Sequence, residues 1–356
     1  MMALKLKIAF SDNPRIDPLR DGTVKPQNIE LDFAPIADGG GGLFQRNLTY
    51  DEFDVSEMSI SESLLAIERR GNRAIWDWVK IPVFLSRGHV WGSLYVNTAA
   101  GIDTLADFKG KRIATPDYDM TAALWFRITL KDLYGIDPKD NIWYNGRTKE
   151  LSHGGALGLD KQPPVGIEHH WLTVDQSMDI MLDRGEIDAS TAIRPGDPVT
   201  VGDPNVIDRH GGTQIEGNPR IKKLLPDNGK GVIYEYRTKT GFFHTNHHVI
   251  IQRKIVEENP WVPMELFKAF QRSKLEAYER ADKQMSGRSQ SDSTILYFEA
   301  NDFADQAAVL GQDPYPIGLQ KMGKNVERAI QGSMEQGLLT KQLKLEDVYH
   351  HTTLDT

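Results

Sequence analysis

The sequence predicts a two-lobed α/β fold in which the chain crosses twice between two mostly parallel sheets. Short apolar strands alternate with helices from the first residues onward, which is the pattern of parallel β–α units. Two apolar segments, at 85–97 and 242–252, are predicted to be the crossovers. A chain of 356 residues has room for two lobes with separate cores. We predict lobe one from 1–90 plus 250–356, lobe two from 91–249, and a central ligand cleft between them.

The elements follow from apolar periodicity and from turn residues. The predicted strands are 4–10, 29–34, 53–58, 81–86, 93–97, 111–115, 187–193 and 242–252. The predicted helices are 43–48, 63–70, 122–134, 175–183 and 260–281, with a helical tail to about 337. Ser-Ile-Ser-Glu at 59–62 is a capping pattern for the helix that follows. Four glycines at 39–42 predict a flexible loop, and the segments 145–168 and 196–217 predict surface loops.

Composition and charge narrow the function classes. Apolar residues make up 39% and charged residues 26%, as in an ordinary globular protein. A net charge of −8 argues against nucleic acid or an anionic membrane as the main partner. The absence of cysteine excludes disulfides, thiol nucleophiles and cysteine metal sites. No apolar run is long enough to span a bilayer, and a strand begins at Leu4 without a leader before it, so we predict a cytoplasmic protein. The sequence is compatible with a homo-oligomer but does not predict the number of subunits.

Three arginines follow directly on predicted strands and are candidate ligands for an anion: Arg15, Arg87 and Arg194. The carboxyl ends of strands face the crevice in open α/β sheets. A guanidinium there can hold a carboxylate with two parallel hydrogen bonds. The alternatives are a structural salt bridge for Arg87 and Arg194, and an exposed loop position for Arg15.

Two predicted helix starts are further candidates for anion binding. Met120 and Thr121 open the helix that follows strand 111–115, where free N–H groups and a hydroxyl can meet a carboxylate. Ser59 precedes another helix in the same way. The alternative for all three residues is ordinary helix capping, which we expect to be the main role of Ser59.

The histidines near the second crossover are candidates for proton transfer. Strand alternation places His244 and His248 on one face and His247 on the other. Histidine suits general acid catalysis because its ordinary pKa of about 6.5 keeps both forms available near neutrality. His244 and His248, with His89, could instead bind a divalent metal, although no metal-binding motif supports this. Four other histidines are predicted to be surface residues: His169, His170, His350 and His351.

Aromatic and acidic residues complete the candidate list. Four aromatic residues could stack on a ring, with core packing as the alternative: Trp91, Trp125, Phe243 and Tyr315. Tyr315 lies in a proline-rich turn and is the one we expect to line the cleft. Glu57 and Asp119 could accept a proton from a substrate hydroxyl, with capping or pairing to arginine as the alternative.

Several motifs together resemble one enzyme family over nearly the whole chain. They are FDVSEMS at 53–59, IPVFLSR at 81–87, PDYDMTAALW at 116–125, DPYPIG at 313–318, and a tail with EQGLL at 335–339 and LED at 345–347. The chain resembles the 4,5-dihydroxyphthalate decarboxylase family. The resemblance implies a type II periplasmic-binding-protein fold and non-oxidative decarboxylation of a hydroxylated aromatic acid without an organic cofactor.

The resemblance also suggests roles for the candidate residues. It carries over Arg15, Ser59, Met120, Thr121 and Arg194 as substrate ligands, with Tyr315 added from its position. It makes Arg87 and His247 catalytic, His247 being the first choice for the proton donor.

The chain also departs from the family pattern. Asp17 stands where the family has a second arginine, and Val90-Trp91 replaces an Arg-His pair. His89 could take over the missing function. Fewer cationic groups imply a less anionic substrate, such as a hydroxybenzoate. A solute-binding protein that delivers an aromatic acid to an ABC-type transporter is the alternative, because binding proteins share the fold.

Overall fold

The computed structural model describes residues 3–36, 39–71, 75–193, 198–286 and 299–356. Its strands are β1 (Leu4–Ala9), β2 (Ile29–Phe33), β3 (Val55–Ser59), β4 (Trp78–Ser86), β5 (Tyr95–Asn97), β6 (Arg112–Thr115), β7 (Ile142–Asn145), β8 (Glu168–Trp171), β9 (Ala189–Ser190), β10 (Ile221–Lys223) and β11 (His247–Gln252).

Helices connect these strands and extend beyond the last one. They are α1 (Asp17–Arg20), α2 (Gly39–Thr49), α3 (Ile60–Arg69), α4 (Thr121–Tyr134), α5 (His153–Ala156), α6 (Met178–Asp183), α7 (Lys230–Thr240), α8 (Arg253–Glu258), α9 (Val262–Ser286), α10 (Glu299–Leu310), α11 (Leu319–Glu335) and α12 (Leu345–Val348). None of the helices in the described ranges is both long enough and apolar enough to cross a bilayer.

The first sheet has the strand order β2-β1-β3-β11-β4. β1 is parallel to β2 and β3, whereas β11 runs antiparallel between β3 and β4. The register sets His247 opposite Ser59 on one side and opposite Ser86 on the other. The end of β3, the start of β11 and the end of β4 therefore meet at one edge of the sheet.

The second sheet repeats this order and adds one edge strand. Its order is β10-β5-β9-β6-β7-β8, with β6 parallel to β7 and β9, and β5 antiparallel to β9 and β10. β5 is the first strand after the first crossover, as β11 is the first after the second. Each sheet thus holds one antiparallel strand that follows a crossover, β11 between β3 and β4 in the first sheet and β5 between β9 and β10 in the second. The predicted two-lobed α/β fold is confirmed.

A buried apolar stripe fixes α9 on the first sheet. Val262, Leu266, Ala269 and Phe270 recur at helical spacing, and they pack with Leu6, Ile8, Val249 and Ile251 of the strands. Burial of each large apolar side chain contributes about 1.5–3 kcal/mol, so this stripe is a main source of lobe stability.

Two predicted loops differ in the structure. The glycines at 39–42 begin α2 instead of forming a loop. Glycine costs about 1 kcal/mol per helical position, but Leu43, Phe44 and Leu48 of the same helix are buried and offset this cost. The segment 145–168 is not a surface excursion, because Arg147, Ser152 and His153 are buried in it.

The strands of the first sheet come from 4–86 and 247–252, and those of the second sheet come from 95–223. The predicted boundary between lobe two and lobe one, between residues 249 and 250, falls inside β11. α11 contacts α3 of the first lobe and also α4 of the second lobe, where Arg127 Nε donates to Gln336 Oε1 at 2.5 Å. The C-terminal helices therefore touch both lobes.

Candidate active site

A cavity of about 180 Å³ lies between the two lobes. The first lobe contributes the end of β3 and the start of β11, and the second lobe contributes the start of α4 and the segment after β7. An engineered cavity of about 150 Å³ binds benzene, so this space can hold one aromatic ring. The lining residues are Phe44, Ser59, Glu62, Met120, Thr121, Ala122, Arg147, His153, Asn246 and His247.

His247 is held against a buried carboxylate on the first-lobe wall. Its Nδ1 atom lies 2.8 Å from Glu57 Oε2, and the backbone N–H of Ser11 donates to Glu57 Oε1 at 2.5 Å. Burial alone would raise the pKa of Glu57, but the hydrogen bonds from His247 and Ser11 outweigh it and hold that pKa below its ordinary value. An ionised carboxylate only accepts hydrogen bonds, so the Nδ1 atom of His247 carries a proton and Nε2 remains for other chemistry.

Two helix N-termini from opposite lobes meet at the cavity. Ser59 is the N-cap of α3 and Met120 that of α4, yet neither side chain caps its helix. Instead, Ser59 Oγ and Thr121 Oγ1 share a hydrogen bond of 2.8 Å, and the N–H of Ser61 donates to Thr121 Oγ1 at 2.9 Å. The expectation that Ser59 acts mainly as a side-chain cap is wrong, because its hydroxyl has a partner in the other lobe. Unbonded N–H groups at the start of α4 give the cavity a positive potential.

The second-lobe wall holds a histidine that the sequence analysis missed. His153 Nδ1 lies 3.2 Å from Glu62 Oε1 of α3, so this pair bridges the lobes. The Phe44 ring lies between the two imidazoles, with its centroid 4.7 Å from that of His247 and 6.2 Å from that of His153. No motif marked His153, because it follows a glycine- and charge-rich segment without strand or helix periodicity.

Arg147 was also missed, and acids already neutralise it. Its guanidinium donates to Asp117 Oδ2 at 2.7 Å and to Asp208 Oδ1 at 2.7 Å. Burial opposes the charge, but Asp117 and Asp208 outweigh it and raise the pKa of Arg147. Asp119 behaves oppositely, since burial, Asp117 and Glu62 raise the pKa of its carboxyl well above the ordinary value and favour the neutral acid. The charge of Arg147 is therefore fully paired, and the protonated Asp119 adds no negative charge to the cavity.

The structure divides the predicted site residues into two groups. Ser59, Met120, Thr121 and His247 line the inter-lobe cavity. Three others line a separate cavity: Arg87, His89 and Tyr315.

Arg15 lines neither cavity. The Arg15 guanidinium stacks on the Tyr315 ring at 3.5 Å and donates to Leu85 O at 2.5 Å. Arg194 lies outside the described residues. The sequence predicted one site that combines the arginines with His247. In the structure, His247 and Arg87 line two different cavities.

The remaining histidines have structural partners. His244 precedes β11 and is buried against Trp125 and Tyr236, with its Nε2 atom 2.9 Å from Thr129 Oγ1. His248 contacts Ser63 Oγ at 2.7 Å. Within the described ranges, no group of three or more histidine and acidic residues could hold a metal ion.

His169, predicted at the surface, is instead largely buried in β8, where its ring contacts that of Tyr118. Burial and then Arg127 lower the pKa of His169 to about 4.

The strand order and the inter-lobe cavity define a protein with the two-lobed type II periplasmic-binding-protein fold. The chain is 27% identical over 356 residues to a 4,5-dihydroxyphthalate decarboxylase of Comamonas testosteroni, covering all of this chain and 99% of the relative. It is 30% identical over 206 residues to the Pseudomonas putida protein of the same name, covering 58% of this chain and 77% of the relative. The chain belongs to the 4,5-dihydroxyphthalate decarboxylase family, whose named members here are carboxy-lyases.

Comparison with protein-family profiles gives no match. Among solved structures, the Candida albicans CA3427 gene product aligns with a TM-score of 0.46 and 12% identity, over 99% of this chain and 98% of that chain. The aliphatic sulphonate binding protein SsuA of Escherichia coli aligns with a TM-score of 0.45 and 13% identity, over 99% of both chains.

Proposed function

We propose that the protein decarboxylates a hydroxylated aromatic carboxylic acid in the inter-lobe cavity, without an organic cofactor. One observation carries the proposal. An imidazole with its Nδ1 atom fixed by a buried carboxylate faces the uncapped N-terminus of α4 across a space the size of one ring. The names of both relatives support the reaction class.

The two walls have complementary roles in this proposal. The substrate carboxylate lies at the N-terminus of α4, because unbonded N–H groups and the helix dipole favour an anion there. The first N–H groups of α3 are already used, since Ile60 donates to Asn246 O and Ser61 to Thr121 Oγ1. The hydroxyls of Ser59 and Thr121, which are bonded to each other, lie beside this helix start. The ring then lies beside Phe44, with the carbon that bears the carboxylate turned toward His247.

Proton transfer comes before loss of CO2. In this step His247 is the imidazolium, paired with Glu57, and its Nε2–H group donates a proton to the ring carbon that bears the carboxylate. Electron density from a ring hydroxyl ortho or para to that carbon stabilises the resulting dearomatised intermediate. The bond to the carboxylate then breaks, its electron pair restores the aromatic ring, and CO2 leaves. The imidazole recovers a proton from water, and Glu57 offsets the imidazolium charge as it forms.

The substrate is expected to be a dihydroxyphthalate or a hydroxybenzoate. The relatives are named for 4,5-dihydroxyphthalate, which carries two carboxylates. Among the described residues that line the cavity, only Arg147, His153 and His247 can carry a positive charge. Asp117 and Asp208 already pair with Arg147. This favours a single carboxylate at the N-terminus of α4, with the hydroxyls on the opposite side of the ring. The absence of a required metal, the cytoplasmic location and the oligomeric state stay predictions.

The test measures CO2 release and ligand binding separately. The purified protein is incubated with 4,5-dihydroxyphthalate and a series of mono- and dihydroxybenzoates, with and without a chelator. We expect release of CO2 from at least one of them, unaffected by the chelator. His247→Ala is expected to lower kcat by about 10²–10⁴-fold, the usual contribution of a general acid, with little change in substrate affinity.

His351→Ala is the matched control, because His351 is exposed and remote from the cavity wall. Wild-type turnover in His247→Ala would remove this histidine from the mechanism. Tight binding of an aromatic acid without CO2 release would instead favour the solute-binding protein.

A further inference from the structure

A second cavity, of about 390 Å³, is built on the two crossover segments. Arg87 and His89 of the first crossover line it, together with Phe243 just before β11 and Arg237 of α7. It shares no described lining residue with the inter-lobe cavity. The proposed reaction leaves this space without a role.

Arginines and aromatic rings alternate at one side of this cavity, with Arg15 packed on the lining residue Tyr315 but not itself in the lining. The guanidinium of Arg15 lies 3.5 Å from the ring centroid of Tyr315, and that of Arg87 lies 5.7 Å from the same ring. Arg87 is also 5.4 Å from the ring centroid of Phe243, on which Arg237 stacks at 3.9 Å. We call these five residues the arginine ladder. All four distances are within the range of cation–π attraction.

No acid of the described chain pairs directly with the ladder, and Glu57 and Asp313 act on Arg15 and Arg87 only from a distance. Its three arginines form hydrogen bonds with backbone carbonyls instead of ion pairs within the described chain: Arg15 with Leu85 O, Arg87 with Ser86 O and Pro316 O, and Arg237 with Gly241 O. The Nε atom of Arg87 is buried without a hydrogen bond there. Burial, and then Arg15, lower the pKa of Arg87 to about 10, which still leaves it charged at neutral pH.

The acids at the cavity wall have other partners. Asp302 pairs with Lys230 at 3.2 Å, and Asp227 accepts from the N–H groups of Gly229 and Gly231 at 2.9 and 2.7 Å. Buried charge without a direct counter-charge is costly, so an anion bound in this cavity would be stabilised.

We propose that the arginine ladder is a second binding site, for an aromatic carboxylate. A guanidinium that stacks on a ring by its face keeps N–H groups on its edge, and those bind a carboxylate with two parallel hydrogen bonds. The wall also offers Ile233 and Leu310 to an apolar ring. This chemistry fits a benzoate or phthalate better than a small inorganic anion, which would use the charge but leave the apolar wall in water.

A ligand here would act on lobe closure. It contacts residues of both crossovers, and Asn246 of the inter-lobe cavity donates through Nδ2 to the carbonyl of Gly88, between Arg87 and His89. The ladder site therefore couples to the reaction cavity through the segment that must bend when the lobes move. The site itself stands on its own charge pattern, and only its effect on turnover rests on the proposed function.

The experiment uses phthalate and benzoate, whose rings lack the activating hydroxyl, as probes in calorimetric titrations of the full chain. We expect Arg237→Gln to weaken one binding event at least tenfold. Arg184→Gln is the matched control, because Arg184 is an exposed arginine on the second lobe. His247→Ala should retain the event that depends on Arg237, which separates this site from the reaction site. The two probes show whether the site prefers a diacid or a monoacid.

Crystals soaked with 4-bromobenzoate give a second measurement that does not depend on a variant. We expect an anomalous bromine peak beside Phe243. Unchanged binding in Arg237→Gln, or a peak confined to the inter-lobe cavity, would overturn the proposal. If turnover is absent while the binding that depends on Arg237 persists, the proposed function fails and the ladder site stands.

Discussion

Thr121 Oγ1 of the second lobe lies 2.8 Å from Ser59 Oγ of the first lobe and also accepts the N–H of Ser61. One hydroxyl thus joins the starts of two helices that belong to different sheets. All three groups are buried, so water does not compete with these bonds. The contact holds the two N-termini side by side and satisfies the N–H of Ser61, so the uncapped start of α4 is the one that can meet an anion.

Thr121→Val should loosen this junction. The change keeps the shape of the side chain but leaves the N–H of Ser61 and the hydroxyl of Ser59 without their partner, at a cost of about 1–3 kcal/mol. Because the lost bonds join the lobes, we expect KM to rise by about tenfold and kcat to fall less. Steady-state kinetics with the best substrate measures this. Thr121→Ser keeps the hydroxyl and should behave nearly as wild type. Equal kinetics in the valine and serine variants would show that the hydroxyl has no part in closure.

Glu57→Gln should impair proton transfer with little effect on binding. The amide can still meet the His247 ring, but it brings no charge and permits the other imidazole tautomer. We expect kcat to fall by about 10²-fold, within the range for general acid catalysis, with KM nearly unchanged. Glu186→Gln, a change at an exposed glutamate, is the control. A loss of affinity without loss of kcat would assign Glu57 to substrate binding instead.

Lys80 should make the free energy of unfolding increase as the pH rises above neutrality. Its side chain is buried in β4, its Nζ donates to Trp78 O at 3.1 Å, and it has no ion pair within the described chain. Burial, and then Arg253 and Arg70, lower its pKa from 10.5 to about 7. Between these two values the unfolded chain binds a proton that the folded chain lacks. The free energy of unfolding therefore gains up to about 1.4 kcal/mol per pH unit from this residue as pH rises.

Lys80→Met removes that dependence while keeping similar volume. We expect the difference in unfolding free energy, wild type minus variant, to increase between pH 7 and pH 9 in urea titrations. The constant cost of the lost hydrogen bond cancels in this comparison. A difference that stays flat with pH would mean that Lys80 keeps its proton in the folded protein.

His244 should contribute to acid unfolding. Burial, and then His89 and Arg87, lower its pKa from 6.5 to about 3. Below pH 6.5 the unfolded chain binds a proton that the folded chain excludes, so stability falls as pH decreases toward 3. The loss amounts to about 2 kcal/mol at pH 5.

His244→Gln keeps a group that can bond to Thr129 but does not titrate. We expect wild type to lose about 2 kcal/mol more than this variant between pH 7 and pH 5, in denaturant titrations at each pH. His351→Gln, at an exposed position, should show no such difference. Parallel losses in wild type and His244→Gln would contradict the assignment.

Local patterns were sufficient for much of the fold. Alternating strands and apolar helix stripes predicted β1, β3, α4 and α9 to within a few residues, because each buries one regular face. The glycine-rich start of α2 was not predictable, because local propensity opposes a helix there. Its apolar residues gain more from burial in the lobe than the glycines cost.

The site was predictable only where it lies on regular elements. Alternation separated His247 from His248, and the structure gives them different partners, Glu57 and Ser63. His153 and Arg147 come from an irregular segment whose burial depends on contacts with the other lobe. Nothing local in the sequence encodes such contacts.

The arginines show a second limit. A charged residue at a strand end predicts an anion nearby, but not which of two adjacent spaces holds it. Arg87 lies beside the ring of Tyr315, and both line the second cavity. Tyr315 is more than 200 positions away in the sequence, so this contact could not be predicted from local patterns.

The position of β11 in the first sheet has a consequence for biosynthesis. β3 and β4 do not pair with each other; the strand between them is made only after the whole second sheet has left the ribosome. The second sheet, by contrast, uses one continuous piece of chain, from β5 to β10. Co-translational folding should therefore complete the later lobe first, while β3 and β4 wait with unpaired edges. A nascent chain halted before residue 247 would expose those edges to aggregation, and chaperone binding is expected to be strongest at that length.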